Sequence, residues 1–145
     1  MAAFLETNVY RFHGTILIYG ACLPEVSPEG FRQLAVRVDG AYPLCLERDH
    51  LNLAVTKLTA ILGTGRVERI LFATVDRSPH CVQMHYMRHE IERVLPEHVP
   101  MESWVVADDR PIPVPPEAVE LSKSLARLAG LTAPAKTPSE PVGSD

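Results

Sequence analysis

Residues 69–92 read RILFATVDRSPHCVQMHYMRHEIE, and this stretch restricts the fold more than any other. After Arg69, residues 70–75 are mostly apolar and rich in β-branched side chains, a run too short for a helix, so residues 69–75 predict a strand buried on both faces. Ser78 supplies a helix cap, and Pro79 takes a first-turn position where its missing N–H costs nothing. A helix then extends to about Leu95, with Met84, Met87, Ile91, Val94 and Leu95 on its core face. A doubly buried strand that leads straight into a helix is half of a βαβ unit. It requires parallel neighbours and helices covering both faces of the sheet.

The rest of the chain fits that frame. Residues 15–19 (TILIY) form a second buried strand closed by Gly20, with an edge strand over residues 10–12 ahead of it turning at His13-Gly14. Residues 21–30 read as a loop with one helical turn. Residues 34–38 (LAVRV) alternate as a half-exposed strand, Asp39-Gly40 is a hairpin signal, and residues 42–46 are the return strand. Pro43 confines that return strand to an edge. Asp49 caps a helix over residues 50–62, with Leu51, Val55, Leu58 and Leu62 on one face and Gly63 as its stop. Residues 103–107 (SWVVA) give another strand, and residues 108–116 (DDRPIPVPP) a stiff connection. A last helix covers residues 117–129, with Leu121, Leu125 and Leu128 inward and Gly130 at its end. The expected architecture is an α/β three-layer sandwich, a single domain over residues 1–130. Its sheet is mostly parallel with an N-terminal hairpin, its helices cover both faces, and residues 131–145 form a disordered Pro/Ser/Thr tail.

Composition removes several function classes. A net charge of −4 and the lack of any Lys/Arg cluster argue against nucleic acid or an anionic membrane as partner. No apolar run approaches the roughly 20 residues that span a bilayer. The first residues lack the basic region and apolar core of a secretory signal. A cytoplasmic location is therefore expected, where the three cysteines, an odd number, stay reduced and available for chemistry.

In open α/β sheets ligands gather beyond the carboxyl ends of the strands. Cys22 follows the first buried strand. Cys45 ends the Pro43 strand, leading into Glu47, Asp49 and His50. Asp76, His80, Cys81 and His85 follow the strand over residues 69–75, and Asp108 and Asp109 follow the next. Every cysteine falls at the same kind of place. Two chemistries suit this. In the first, Cys22, Cys45, Cys81 and His85 form a Cys3His set for a tetrahedral zinc or an iron–sulfur cluster. Cys81 and His85 are four apart on one helix, and Asp76, His80 and His89 stand behind the ligands, with His80 or His89 as a substitute fourth donor. No Cys-x2-Cys pair strengthens the pattern. In the second, Cys81 in the first turn of its helix is a thiolate nucleophile of lowered pKa, with His80 or His85 as base and Asp76 orienting it. A plainer alternative makes the cysteines core residues of an interaction module that docks through residues 111–116 and the tail. His13 and His98 are turn and loop residues on any reading, and His89 is solvated or supporting.

Three segments carry a resemblance to a known family: residues 16–22 (ILIYGAC), 36–45 (VRVDGAYPLC) and 70–86 (ILFATVDRSPHCVQMHY). In order and spacing they resemble the small delta subunit of methyl-viologen-reducing hydrogenases, over roughly residues 15–129. The resemblance implies a small α/β iron–sulfur protein that relays electrons, with Cys22, Cys45 and Cys81 near cluster ligands. It also implies a larger redox enzyme subunit as partner, with a homo-oligomer as the other expected assembly. This chain departs from the family in having Ala21 before Cys22 and Val-Gln-Met between Cys81 and His85, where the family has further cysteines. With three thiols, a four-ligand cluster needs a histidine or a ligand from a partner.

Overall fold

The computed structural model describes residues 3–95 and 97–132. The chain divides into two compact units, Met1–Val114 and Pro115–Asp145. After a single 3-10 turn (Val9–Arg11), the first runs β1 (Gly14–Gly20), α1 (Leu23–Val26), α2 (Pro28–Ala35), β2 (Gly40–Leu44), α3 (Leu51–Gly63), β3 (Val67–Val75), α4 (Val82–Val94), β4 (Met101–Ala107) and β5 (Arg110–Val114). The second contains α5 (Pro116–Ser122) and α6 (Leu125–Thr132). The sheet order is β2-β1-β3-β4-β5, parallel except for the β4–β5 pair.

Strand parity sets the layers. Ile16 and Ile18 of β1, with Ile70 and Phe72 of β3, join one core together with Leu58 and Ile61 of α3 and Met84, Met87 and Ile91 of α4. The odd positions Leu17, Tyr19, Leu71 and Ala73 join the opposite core with Leu23 and Leu34. The buried residues 16–19 of β1 and 70–73 of β3 are therefore apolar at every position, as a sheet covered on two faces demands. The expected three-layer α/β sandwich with a mostly parallel sheet is what the chain forms.

Several local expectations are corrected. Residues 34–38 are no strand: Leu34 and Ala35 close α2, Val36 is its exposed C-cap, and β2 pairs parallel to β1. There is thus no hairpin at Asp39-Gly40. Pro28 in the first turn and Phe31, Leu34 and Ala35 at helical spacing outweigh the short alternation. Residues 10–12 are not a strand either, because the Asn8 side chain caps the turn at the Tyr10 N–H (2.9 Å). The helix over residues 50–62 forms as α3, but its stop moves from Gly63 to Gly65, the residue at φ +71°. Residues 110–114 are a strand where a stiff connection was expected. Asp108 and Asp109, both at positive φ, make a two-residue hairpin turn from Ala107 to Arg110. The last helix is two, broken at Lys123-Ser124, where the Ser124 hydroxyl accepts the Arg127 N–H; Leu125 is exposed and no residue of α6 is buried. Val94 of α4 is exposed. The tail expected from residue 131 lies, from residue 133 on, outside the described residues.

Candidate functional site

From β1 the chain crosses to β2 on one side and then to β3 on the other. The strand order therefore reverses between β1 and β3, and their carboxyl ends flank the crevice where α/β sheets of this order hold ligands. A cysteine stands beyond each of the three neighbouring strands: Cys45 after β2, Cys22 after β1, Cys81 after β3. At about 4.8 Å per strand, the row spans two strand spacings.

Gly20, the last residue of β1, makes the closest part of this row possible. A Cβ placed there would lie 2.8 Å from the Cys81 sulfur, inside contact distance. The missing side chain lets the α4 turn lay its thiol against β1. There Cys81 comes near enough to Cys22 for its thiol to weigh on the ionisation of Cys22. Cys22 is exposed as a residue, yet its thiol is held above the ordinary cysteine range. Desolvation of the sulfur is the largest cause, followed by the charge of Cys81, with a smaller contribution from Cys45. All three thiols lie within electrostatic reach of one another through Cys22.

Each cysteine is fixed by local chemistry. Ser78 accepts the Cys81 N–H on its hydroxyl (3.2 Å) and the Val82 N–H on its carbonyl (3.3 Å), which closes the turn ahead of α4; the helix itself begins at Val82 with Cys81 as its N-cap residue, later than the start at Pro79 that the sequence predicts. Asp49 does not cap α3. Its carboxylate accepts the Cys45 N–H (3.2 Å) and pairs with Arg48 (3.2 Å), while the Cys45 carbonyl accepts the N–H of Asp49 (2.6 Å). The Arg48 guanidinium holds the Asp49 carboxyl below the usual range. The Cys22 carbonyl accepts the N–H groups of Glu25 and Val26, which anchors Cys22 at the start of α1.

The histidines and acids expected around the thiols go elsewhere. His85 is buried at 3% exposure and its Nε2 lies 2.8 Å from the Thr74 hydroxyl. Burial, reinforced by the charges of Arg88 and His89, pushes its pKa down to about 4, so the ring is neutral. His89 is buried rather than solvated, beside an Arg88 that bonds Ser103 (3.0 Å) and Glu92 (3.1 Å). His80 and Asp76 are exposed. Among the described residues no group of three or more His, Cys, Asp or Glu has a geometry that could hold a metal ion. The thiols suit a soft metal in kind, but the fourth, imidazole corner of the Cys3His set is not assembled beside them. Gly20 and Thr74 were not singled out in the sequence. The first was legible as a glycine ending a strand just before a cysteine, the second as the only hydroxyl in an apolar run.

This is a doubly wound α/β protein with a thiol cluster at its switch point. The family model of the Rossmann-like domain matches residues 12–137, and the chain belongs to that family. No curated protein and no solved structure matches it. Membership describes the fold. The first strand–helix turn here reads GACLPE over residues 20–25, without the glycine spacing that admits a dinucleotide pyrophosphate, and α1 has four residues.

Proposed function

We propose that the chain is a thiol redox protein in which Cys22 and Cys81 work as a dithiol/disulfide couple at the switch-point crevice. The observation that carries this reading is the closeness of the two thiols at the end of β1, where Cys81 lies against Gly20 and raises the Cys22 thiol. The co-reactant is a disulfide on a partner protein. The Cys81 sulfur attacks one sulfur of that disulfide, forming a mixed disulfide and releasing the partner's other sulfur as thiolate. Cys22 then loses its proton and attacks the Cys81 sulfur, which frees the partner's second thiol. Two electrons and two protons pass to the partner, and a Cys22–Cys81 disulfide remains. The family likeness noted in the sequence makes a larger redox enzyme subunit in the cytoplasm the natural partner, with this chain as its accessory. No helix among the described residues is long and apolar enough to cross a membrane. The test is titration with oxidised glutathione followed by peptide mass mapping. A Cys22–Cys81 linked peptide that persists in Cys45→Ser supports the couple; three free thiols at a potential that oxidises ordinary dithiols overturn it.

A second reading is favoured by the reach of Cys45, which the couple leaves idle. Cys22, whose ionisation the other two thiols oppose, would be relieved by a soft cation among the three, zinc or an iron–sulfur cluster, with a fourth ligand supplied from outside the trio. Stoichiometric iron or zinc in anaerobically purified protein, lost in both Cys22→Ser and Cys45→Ser, would replace the first reading with this one.

A further inference from the structure

On the sheet between β3 and β4, under the first turns of α4, lies a pocket of about 430 Å3. That size falls within the roughly 300–1,000 Å3 of small-molecule sites. Its walls are apolar, from Val75, Pro79, Val82 and Val105, and Thr74 and His85 also line it. Those two are 1% and 3% exposed, whereas Asp76 and Arg77 at the rim are exposed. The imidazole is the informative group. Its Nε2 is held by the Thr74 hydroxyl, but its Nδ1 is buried with no hydrogen-bond partner among the described residues. A buried polar atom left so costs about 1–3 kcal/mol, and a ligand that meets it recovers that cost.

We propose that this pocket binds a small neutral molecule with an apolar body and one hydroxyl group, the hydroxyl meeting His85 Nδ1. A hydroxyl suits either tautomer, since it donates to a bare Nδ1 and accepts from a protonated one. Neutrality follows from the surroundings: the buried ring carries no charge, the walls are apolar, and the exposed rim holds one carboxylate and one guanidinium, Asp76 and Arg77. The inference stands on Thr74 and His85 and is independent of the thiols.

Benzyl alcohol is a suitable probe, titrated into the full chain while NMR follows the His85 ring and the Val82 and Val105 methyls. Saturable shifts at all three are expected. They should be absent in Val82→Trp, which fills the pocket from a half-buried position, and binding should weaken about tenfold in Thr74→Val, which releases the ring. Benzoate should bind much more weakly than the alcohol. The proposal is overturned if benzyl alcohol gives no saturable shift, if Val82→Trp shifts as the wild type does, or if benzoate binds equally well.

Discussion

In the proposed thiol couple, two local features matter most: the missing methyl group at residue 20 and the raised thiol at residue 22. Gly20→Ala forces the Cys81 sulfur away from β1, by rotation of its side chain or by a shift of the turn that Ser78 holds. The variant should lose about 1–3 kcal/mol of stability in urea unfolding and should no longer form the Cys22–Cys81 disulfide. Because Cys22 ionises above the ordinary cysteine range, its alkylation by iodoacetamide should lag behind that of a free cysteine between pH 7 and 9. In Cys81→Ser that lag should shrink, since the neighbouring ionisable thiol is gone. His85 offers a separate readout. Its folded value of about 4 lies below the ordinary 6.5, so between those values the unfolded chain binds the proton and the folded chain does not. Its contribution is fully present above pH 6.5 and is lost as pH falls through about 4, by up to roughly 3 kcal/mol. Urea midpoints at pH 7 and pH 4 should converge in His85→Phe relative to wild type.

Among the elements, α2 docks through its own glycine. The Gly30 N–H donates to the Asp109 carboxylate (2.9 Å), and a Cβ at Gly30 would strike the Val106 side chain and come within 3.2 Å of the Asp109 backbone. Gly30→Ala should therefore cost more than the few tenths of a kcal/mol typical of an exposed helical site, and Asp109→Ala about 1 kcal/mol from the lost cap. Thermal denaturation of the two variants checks both. None of this was readable beforehand, because the partner lies 79 residues away and only the fold makes it a neighbour. What could be read followed from long periodicity. β1, β3, β4 and α4 were read as elements of the right type, and the core face of α4 was named correctly apart from Val94. The misreadings fall on short, ambiguous runs. LAVRV alternates by chance at a helix end, and DDRPIPVPP hides a strand because proline suggests none. In β5 those prolines fit: Pro111 and Pro113 take alternate positions opposite Val106 and Trp104, the non-hydrogen-bonded pairs of this hairpin, so their missing N–H groups are the outward ones. The edge strand thus presents fewer donors to another sheet, and Pro111→Val with Pro113→Val should raise the tendency to self-associate, measured by light scattering. The site was legible in part for the same reason as the fold. A cysteine after each strand is a one-dimensional pattern, whereas His85 turning to Thr74 depends on helix rotation that spacing by fours does not resolve.

For the whole molecule, a Cys22–Cys81 bond would tie the crossover containing β2, α3 and β3 into a covalent loop. Closing a loop of that length restricts the unfolded chain by roughly 4 kcal/mol. Oxidised protein should accordingly melt several degrees above reduced protein, and Cys22→Ser should melt alike under both conditions; differential scanning calorimetry with and without reductant decides it. The same row of strand ends also bears on how the molecule is made. Cys22 and Cys45 leave the ribosome before β3 exists to bring Cys81 beside them. Until then the shorter span between the first two thiols closes more readily than the longer one, by a factor of about four on loop length alone. During synthesis the easy bond is the wrong one, and a reducing environment would protect the nascent chain until the third strand arrives.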